Sequence, residues 1–138
     1  MNFRRATPKD APLLGRLNVQ LIQDEGHGSP LTVAQLTDRM RDWLATVYTG
    51  VIFEDERGVV AYAVFQEEVD QVYLRQFFVV RERRCQGVGR LAMHLLFRDI
   101  WPQRKRLTVS VLADNLPARA FWRAVGYSEY SLTLEIRP

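Results

Sequence analysis

The stretch Arg81-Glu-Arg-Arg-Cys-Gln-Gly-Val-Gly-Arg90 decides how the rest of the chain is read. An apolar segment of strand character precedes it, Val72-Tyr-Leu-Arg-Gln-Phe-Phe-Val-Val80. After it, Val88, Leu91, Ala92, Leu95, Leu96 and Ile100 recur at helical spacing. A buried strand thus feeds a short arginine-rich turn with two glycines, and the turn opens directly into an amphipathic helix. The first N–H groups of a helix lack partners within it and carry partial positive charge. Glycine at such a turn lets an anion approach the main chain, so that successive N–H groups can wrap a phosphate. The expectation is a diphosphate-binding turn.

Two common phosphate signatures fit poorly. Gly87-x-Gly89-x-x-Ala92 is within the tolerance of the dinucleotide fingerprint, but that turn follows the first strand of a long doubly wound domain. Here it lies past the middle of the chain. The G-x-x-x-x-G-K-S/T phosphate loop is absent.

Outward from the turn, the spacing predicts an ordered series of elements. Phe3 to Ala6 reads as a first strand, and Thr7-Pro8-Lys9-Asp10 has the form of a capping box. Leu13, Leu14, Leu17, Leu21 and Ile22 give a helical face up to about Gln23. Asp24 to Leu31, with Gly26, Gly28 and Pro30, reads as a loop. Thr32-Val-Ala-Gln35 repeats the capping pattern ahead of Leu36, Met40, Trp43, Leu44 and Val47. Val51 to Glu54 and Val59 to Phe65 flank a hairpin signal at Asp55-Glu-Arg-Gly58. Beyond the central helix, Leu107 to Leu112 is strand-like. Asn115-Leu-Pro117 starts a helix carrying Ala118, Phe121, Trp122 and Val125, which Gly126 stops. Ser131 to Ile136 reads as a last strand. The predicted order is β-α-α-β-β-β-α-β-α-β, without a repeat or linker.

At 138 residues, the reading is one domain over 1–138, and 47% apolar residues argue against disorder. No apolar run is long enough to cross a membrane, and Met1-Asn-Phe-Arg-Arg lacks the apolar segment of a secretory signal. The single Cys85 excludes an internal disulfide and fits a reducing compartment, so a cytoplasmic protein is expected. A net charge of +3 permits an anionic ligand without demanding nucleic acid.

Arg84-Cys85-Gln86-Gly87-Val88-Gly89 resembles the Gln/Arg-x-x-Gly-x-Gly/Ala turn that binds acetyl-CoA in the GNAT acetyltransferase superfamily. Asn115-x-x-Ala118-x-x-Phe121-Trp122-x-x-x-Gly126-Tyr127 is similar to the segment that follows the fifth strand there. The element order agrees as well. The resemblance implies an α/β fold with a central mixed, mostly antiparallel sheet flanked by helices, its fourth and fifth strands splayed. It implies pantetheine in that gap, pairing with main chain around Phe78 and Val79. The N–H groups from Arg84 through Cys85, Gln86, Gly87 and Val88 to Gly89 would hold the diphosphate. Arg83, Arg84 and Arg90 are candidates to neutralise phosphates, Asn115 would reach the arm from across the gap, and Trp122 would line it.

The implied reaction is acetyl transfer from acetyl-CoA to a primary amine on a small molecule or peptide, without a metal. Positioning supplies much of the rate. An amine with a pKa near ~10.4 needs a base. Many relatives place a tyrosine acid where this chain has Trp122, and an indole N–H is not a usable acid. Gln71 to Val80 holds no acidic residue or histidine, so the expected base is Glu25, in the loop that borders the acceptor site in this family, with His27 or water from Glu68 and Asp70 behind it. Asn115 serves equally as a helix cap, and Cys85 reads as inert, with no histidine pattern around it. A non-catalytic acyl-CoA-binding module is the alternative, motivated by the missing tyrosine and strand acid. A basic nucleic-acid-binding domain ranks third, without a recognised motif. A homodimer is compatible with the reading.

Overall fold

A computed structural model describes residues 1–26, 30–102 and 104–138. Strands β1 (Asn2–Arg5), β2 (Thr49–Asp55), β3 (Gly58–Glu67), β4 (Gln71–Val79) and β5 (Arg106–Val109) form one sheet in chain order. The first four run antiparallel to their neighbours, and β5 lies parallel to β4. A parallel neighbour needs a crossover between the strands. That crossover carries helix α3 (Val88–Leu95), which continues as a π turn through Leu96–Ile100. Helices α1 (Ala11–Asp24) and α2 (Val33–Ala45) precede β2, and α4 (Leu116–Val125) follows β5.

Side-chain alternation along the strands divides the core into two layers. Ile52, Tyr62, Val64 and Phe78 point to one face, where Leu14 of α1 and Met40 of α2 cover them. Phe53, Ala61, Ala63, Phe65 and Leu74 point to the other, against Ala92, Met93 and Leu96, with Phe121 and Trp122 of α4 at the margin. Both capping boxes form. The Thr7 N–H donates to Asp10 Oδ2 at 2.8 Å, ahead of a short 3-10 turn that leads into α1. At α2, the Gln35 N–H donates to Thr32 Oγ1 at 3.1 Å and the Thr32 N–H to Gln35 Oε1 at 2.9 Å. The hairpin between β2 and β3 turns at Gly58, whose φ of +115° favours glycine.

The two helices of the first layer touch backbone to side chain. A Cβ added to Gly15 would sit 2.3 Å from Thr37 Oγ1, so glycine lets α1 lie directly on α2.

The structure corrects the sequence reading at its end. No strand follows α4, and Leu132, Leu134 and Ile136 stand exposed. Alternation marks a segment able to form a strand, but a strand also requires a neighbour that offers its ladder, and the segment meets none among the described residues. The fifth strand likewise stops at Val109 rather than running to Leu112.

The feature that positions the site is the splay of β4 from β5. On its inner edge β4 pairs with β3 as far as Val79, whereas β5 pairs only with Gln71 to Leu74. Beyond Leu74 the outer edge of β4 faces a gap.

Candidate functional site

Which main-chain groups face the gap follows from one hydrogen bond. The Val80 N–H donates to the Val60 carbonyl at 3.0 Å. In an antiparallel ladder such pairs alternate, so the Phe78 main chain faces Tyr62 on β3, while Phe77 and Val79 face the gap. The sequence reading put Phe78 and Val79 there together; the register instead pairs Val79 with Phe77. Phe78 turns its ring into the core, 6.0 Å from that of Tyr62.

The turn after β4 is a run of unpaired donors. Cys85 and Gly87 both adopt left-handed backbone, with φ of +60° and +79°. The Arg84 N–H still bonds Arg81, and the next main-chain donor with an acceptor is Leu91, which bonds the Gly87 carbonyl at 3.1 Å. Between them, the N–H groups from Cys85 to Arg90 have no acceptor among the described residues. Such a curl of donors at the head of α3 is an anion-binding surface. The two glycines serve different needs. A Cβ on Gly87 would meet nothing within 4 Å, so its positive φ and open surface are what require glycine there. At Gly89 a Cβ would lie 3.0 Å from Phe121 Cε1, so glycine admits the close approach of α4.

Most of the surrounding arginines are already engaged. Arg83 pairs with Asp55 at 2.5 Å and donates to Gln86 Oε1 at 3.3 Å, tying the turn to the β2–β3 hairpin. Arg84 donates through Nε to the Val79 carbonyl at 2.9 Å and through Nη2 to Asp24 Oδ2 at 2.6 Å. Arg81 reaches the other oxygen of Asp24 at 3.1 Å. Burial pushes the Asp24 carboxyl up, but the hydrogen bonds and charges of Arg84 and Arg81 hold it below the usual carboxylate range. Asp24 thereby links the end of α1 to the turn, a role with no local signal in the sequence. Arg90 is exposed and has no ion pair among the described residues. Cys85 is exposed with a free thiol.

The gap opens into a cavity of about 410 Å³ lined by Glu25, Arg39, Arg75, Gln76, Phe77, Ser110, Asn115 and Trp122, among others. It gathers three residues expected from sequence, Glu25, Asn115 and Trp122, onto one surface. Asn115 caps α4, its Oδ1 accepting from the Ala118 N–H at 3.2 Å, which leaves the amide Nδ2 for the cavity. Capping and ligand contact are therefore compatible. Trp122 is packed by Phe121, Tyr127 and Phe77, with centroids 4.9, 5.3 and 5.9 Å away. Glu25 is the C-cap of α1. His27 and Gly28 lie outside the described residues.

Sequence reading missed Arg39, Arg75, Gln76 and Ser110. Neither nearby tyrosine replaces the absent acid. Tyr62 donates its hydroxyl to Gln76 Oε1 at 2.9 Å, and burial pushes that hydroxyl above the ordinary tyrosine range. Burial also raises Tyr127, which does not line this cavity.

A strand-to-helix turn of free N–H donors thus stands beside two splayed strands. The profile of the Acetyltransferase (GNAT) family matches residues 19–127. The chain belongs to this family. No curated protein matches the sequence significantly. Among solved structures, the GNAT chain superposes on a mutant BH1408 protein from Bacillus halodurans with a TM-score of 0.78 at 22% identity, covering 100% of this chain and 99% of that one. A predicted acetyltransferase from Clostridium acetobutylicum, solved with acetyl-CoA, gives 0.69 at 19% identity, covering 99% and 95%. The aminoglycoside N-acetyltransferase AAC(6')-Iy, in complex with CoA, gives 0.77 at 14% identity, covering 99% and 93%. At these identities the likeness is one of GNAT fold.

Proposed function

We propose that this GNAT acetyltransferase transfers the acetyl group of acetyl-CoA to the primary amine of a small molecule, by direct attack in a ternary complex, and that residues 1–138 act as one catalytic domain. The observation that carries the reading is the unbroken run of free N–H groups from Cys85 to Arg90 at the mouth of the splayed strands. That run suits the diphosphate, with Arg90 as the unpaired cation beside it. Pantetheine laid in the gap would meet main chain of Phe77 and Val79 on one side and the Asn115 amide on the other. The Val79 carbonyl is taken by Arg84, so the Val79 N–H is the donor left for the arm or for the developing oxyanion.

In the reaction an uncharged amine attacks the thioester carbonyl. The new C–N bond forms and the C–S bond breaks, releasing CoA thiolate. Glu25 receives the ammonium proton, directly or through water. The Trp122 indole supplies no proton, so solvent protonates the thiolate. Solvent-facing chemistry on acetyl-CoA and a lone, exposed Cys85 both suit the cytoplasm. No helix among the described residues is long and apolar enough to cross a membrane.

A non-catalytic acyl-CoA-binding module is the second reading, favoured by the packed indole where an acid is expected. Thiol release from acetyl-CoA across a panel of amines separates the two. Transfer predicts amine-dependent release above the hydrolytic background, and tight CoA binding with no release from any amine would leave only the module. Glu25→Gln should lower kcat by about 100-fold or more, the usual weight of a general base, and flatten the acid limb of the pH profile. A rise in KM with kcat unchanged would reduce Glu25 to attracting the amine.

A further inference from the structure

The cavity holds a charge arrangement that the acetyl donor does not use. Arg39 of α2 and Arg75 of β4 both line it, and no residue of the Cys85–Arg90 turn does. Their guanidinium carbons lie 4.4 and 5.2 Å from the centroid of the same ring, Trp43. Two like charges thus share one aromatic support. Neither has an ion pair among the described residues, although most arginines near the turn do. The Arg39 Nη2 donates at 3.2 Å to Oδ1 of Asn18, a fully buried amide. Its Nε is buried with no hydrogen-bond partner. A buried donor left unmet is costly, and native proteins leave few of them. Burial lowers the Arg39 guanidinium below its ordinary value, and the charge of Arg75 lowers it further. The pair is therefore held in a state that a bound anion would relieve.

We infer, on the acetyltransferase reading above, that the acceptor is a compact amine that also carries a carboxylate, held by Arg39 and Arg75 while Glu25 faces its amino group. The planar fork of a guanidinium matches the two oxygens of a carboxylate. Glu25 lines the same cavity of about 410 Å³, so the two charges of the acceptor are separated by only a short spacer. Gln76 lines the same cavity, its Oε1 occupied by the Tyr62 hydroxyl, which leaves its amide N–H as a further donor for the carboxylate. The same surface disfavours a polycation. An aminoglycoside, the acceptor class in the name of one fold neighbour, would bring several ammonium groups against two guanidiniums.

The test compares matched amines that differ in one group, an amino acid against its amide and against the amine lacking the carboxyl carbon. With CoA binding first established by calorimetry, kcat/KM should favour the carboxylate member by about 10- to 100-fold, the range of a charge-assisted hydrogen bond. In Arg75→Gln that ratio should fall toward one, chiefly through a higher KM for the carboxylate member. Arg39→Gln should do the same, and Arg39→Lys should retain part of the preference, since charge survives without the fork. Arg75 is exposed, so its variant reads binding even if a change at the half-buried Arg39 disturbs folding. If CoA binds and amines turn over but the wild type shows no preference, or keeps it in both glutamine variants, the carboxylate site is wrong and the acetyltransferase reading stands. If CoA does not bind, the acetyltransferase reading falls and takes this one with it.

Discussion

Between Cys85 and Arg90 the groups that would meet a ligand are backbone N–H donors, contiguous in the chain. In the cavity beside the splayed strands they are side chains, Glu25, Arg39, Arg75 and Gln76, brought together from the end of α1, from α2 and from β4. The contrast has a chemical logic. A diphosphate is the same in every acyl-CoA, and main-chain donors recognise it whatever side chains surround them. An acceptor differs from enzyme to enzyme, and its recognition falls to groups that substitution can change. On the proposed function, the donor end is tied to backbone conformation and the acceptor end to side-chain identity.

The largest expected effect breaks the donor end through its backbone. Gly87→Glu places a side chain on a residue at φ +79° and a carboxylate where the phosphate should lie. The left-handed conformation alone costs about 1–2 kcal/mol, and the like charge adds to it. CoA affinity should fall by about 100-fold or more, some 2.7 kcal/mol, with far-UV circular dichroism retained. Undiminished binding in a folded variant would remove the donor end from the comparison. A smaller effect belongs to Gly89→Ala, which brings a methyl to 3.0 Å from Phe121. Overpacking of this kind costs about 1–3 kcal/mol. The melting temperature should drop, and Phe121→Leu in the same chain should recover part of it. An unchanged melting temperature would show that α3 and α4 part freely.

The smallest effect sharpens the boundary between the two ends, which Asp24 bridges. Its carboxyl is held below the usual range, so the stability it contributes is complete above the ordinary carboxylate pKa near ~4. That stability is lost as the pH falls through the depressed folded value. Its arginine partners are well exposed, which limits the pair to about 1 kcal/mol or less. Asp24→Asn should cost that much near neutrality, and acid should narrow the gap between variant and wild type. An equal gap at every pH would assign the loss to packing instead.

The donor turn was legible because its determinants lie within a few residues. The spacing of Gly87 and Gly89, an apolar strand before them and a helical stripe after them leave little choice of local geometry. The Thr32–Gln35 capping box and the turn at Gly58 were legible for the same reason. Phe78 was assigned to the gap wrongly because an apolar run does not reveal which residues turn their amides to which neighbour. That parity is set by pairing with β3, including the register shift at Val64 and Phe65. Arg39 lies among polar residues of α2 and Arg75 interrupts the apolar run of β4, and nothing local to either says that they meet over Trp43. The alternation at Leu132, Leu134 and Ile136 was over-read, since pattern reports capacity for pairing and not the presence of a partner.

The contact of Gly15 with Thr37 bears on how the α1–α2 wall of the cavity would respond to a guest. Leu21 and Glu25 reach the cavity from α1 and Arg39 from α2, while Asn18 joins the two helices by its bond to Arg39. With a backbone seated against a side chain and no room for even a methyl between them, the pair is expected to move as a single plate. A plate of this kind tilts whole or stays still; it does not open along its middle to admit a bulkier guest. On the proposed function, changing what this surface accepts is a matter of trimming individual side chains, one position at a time.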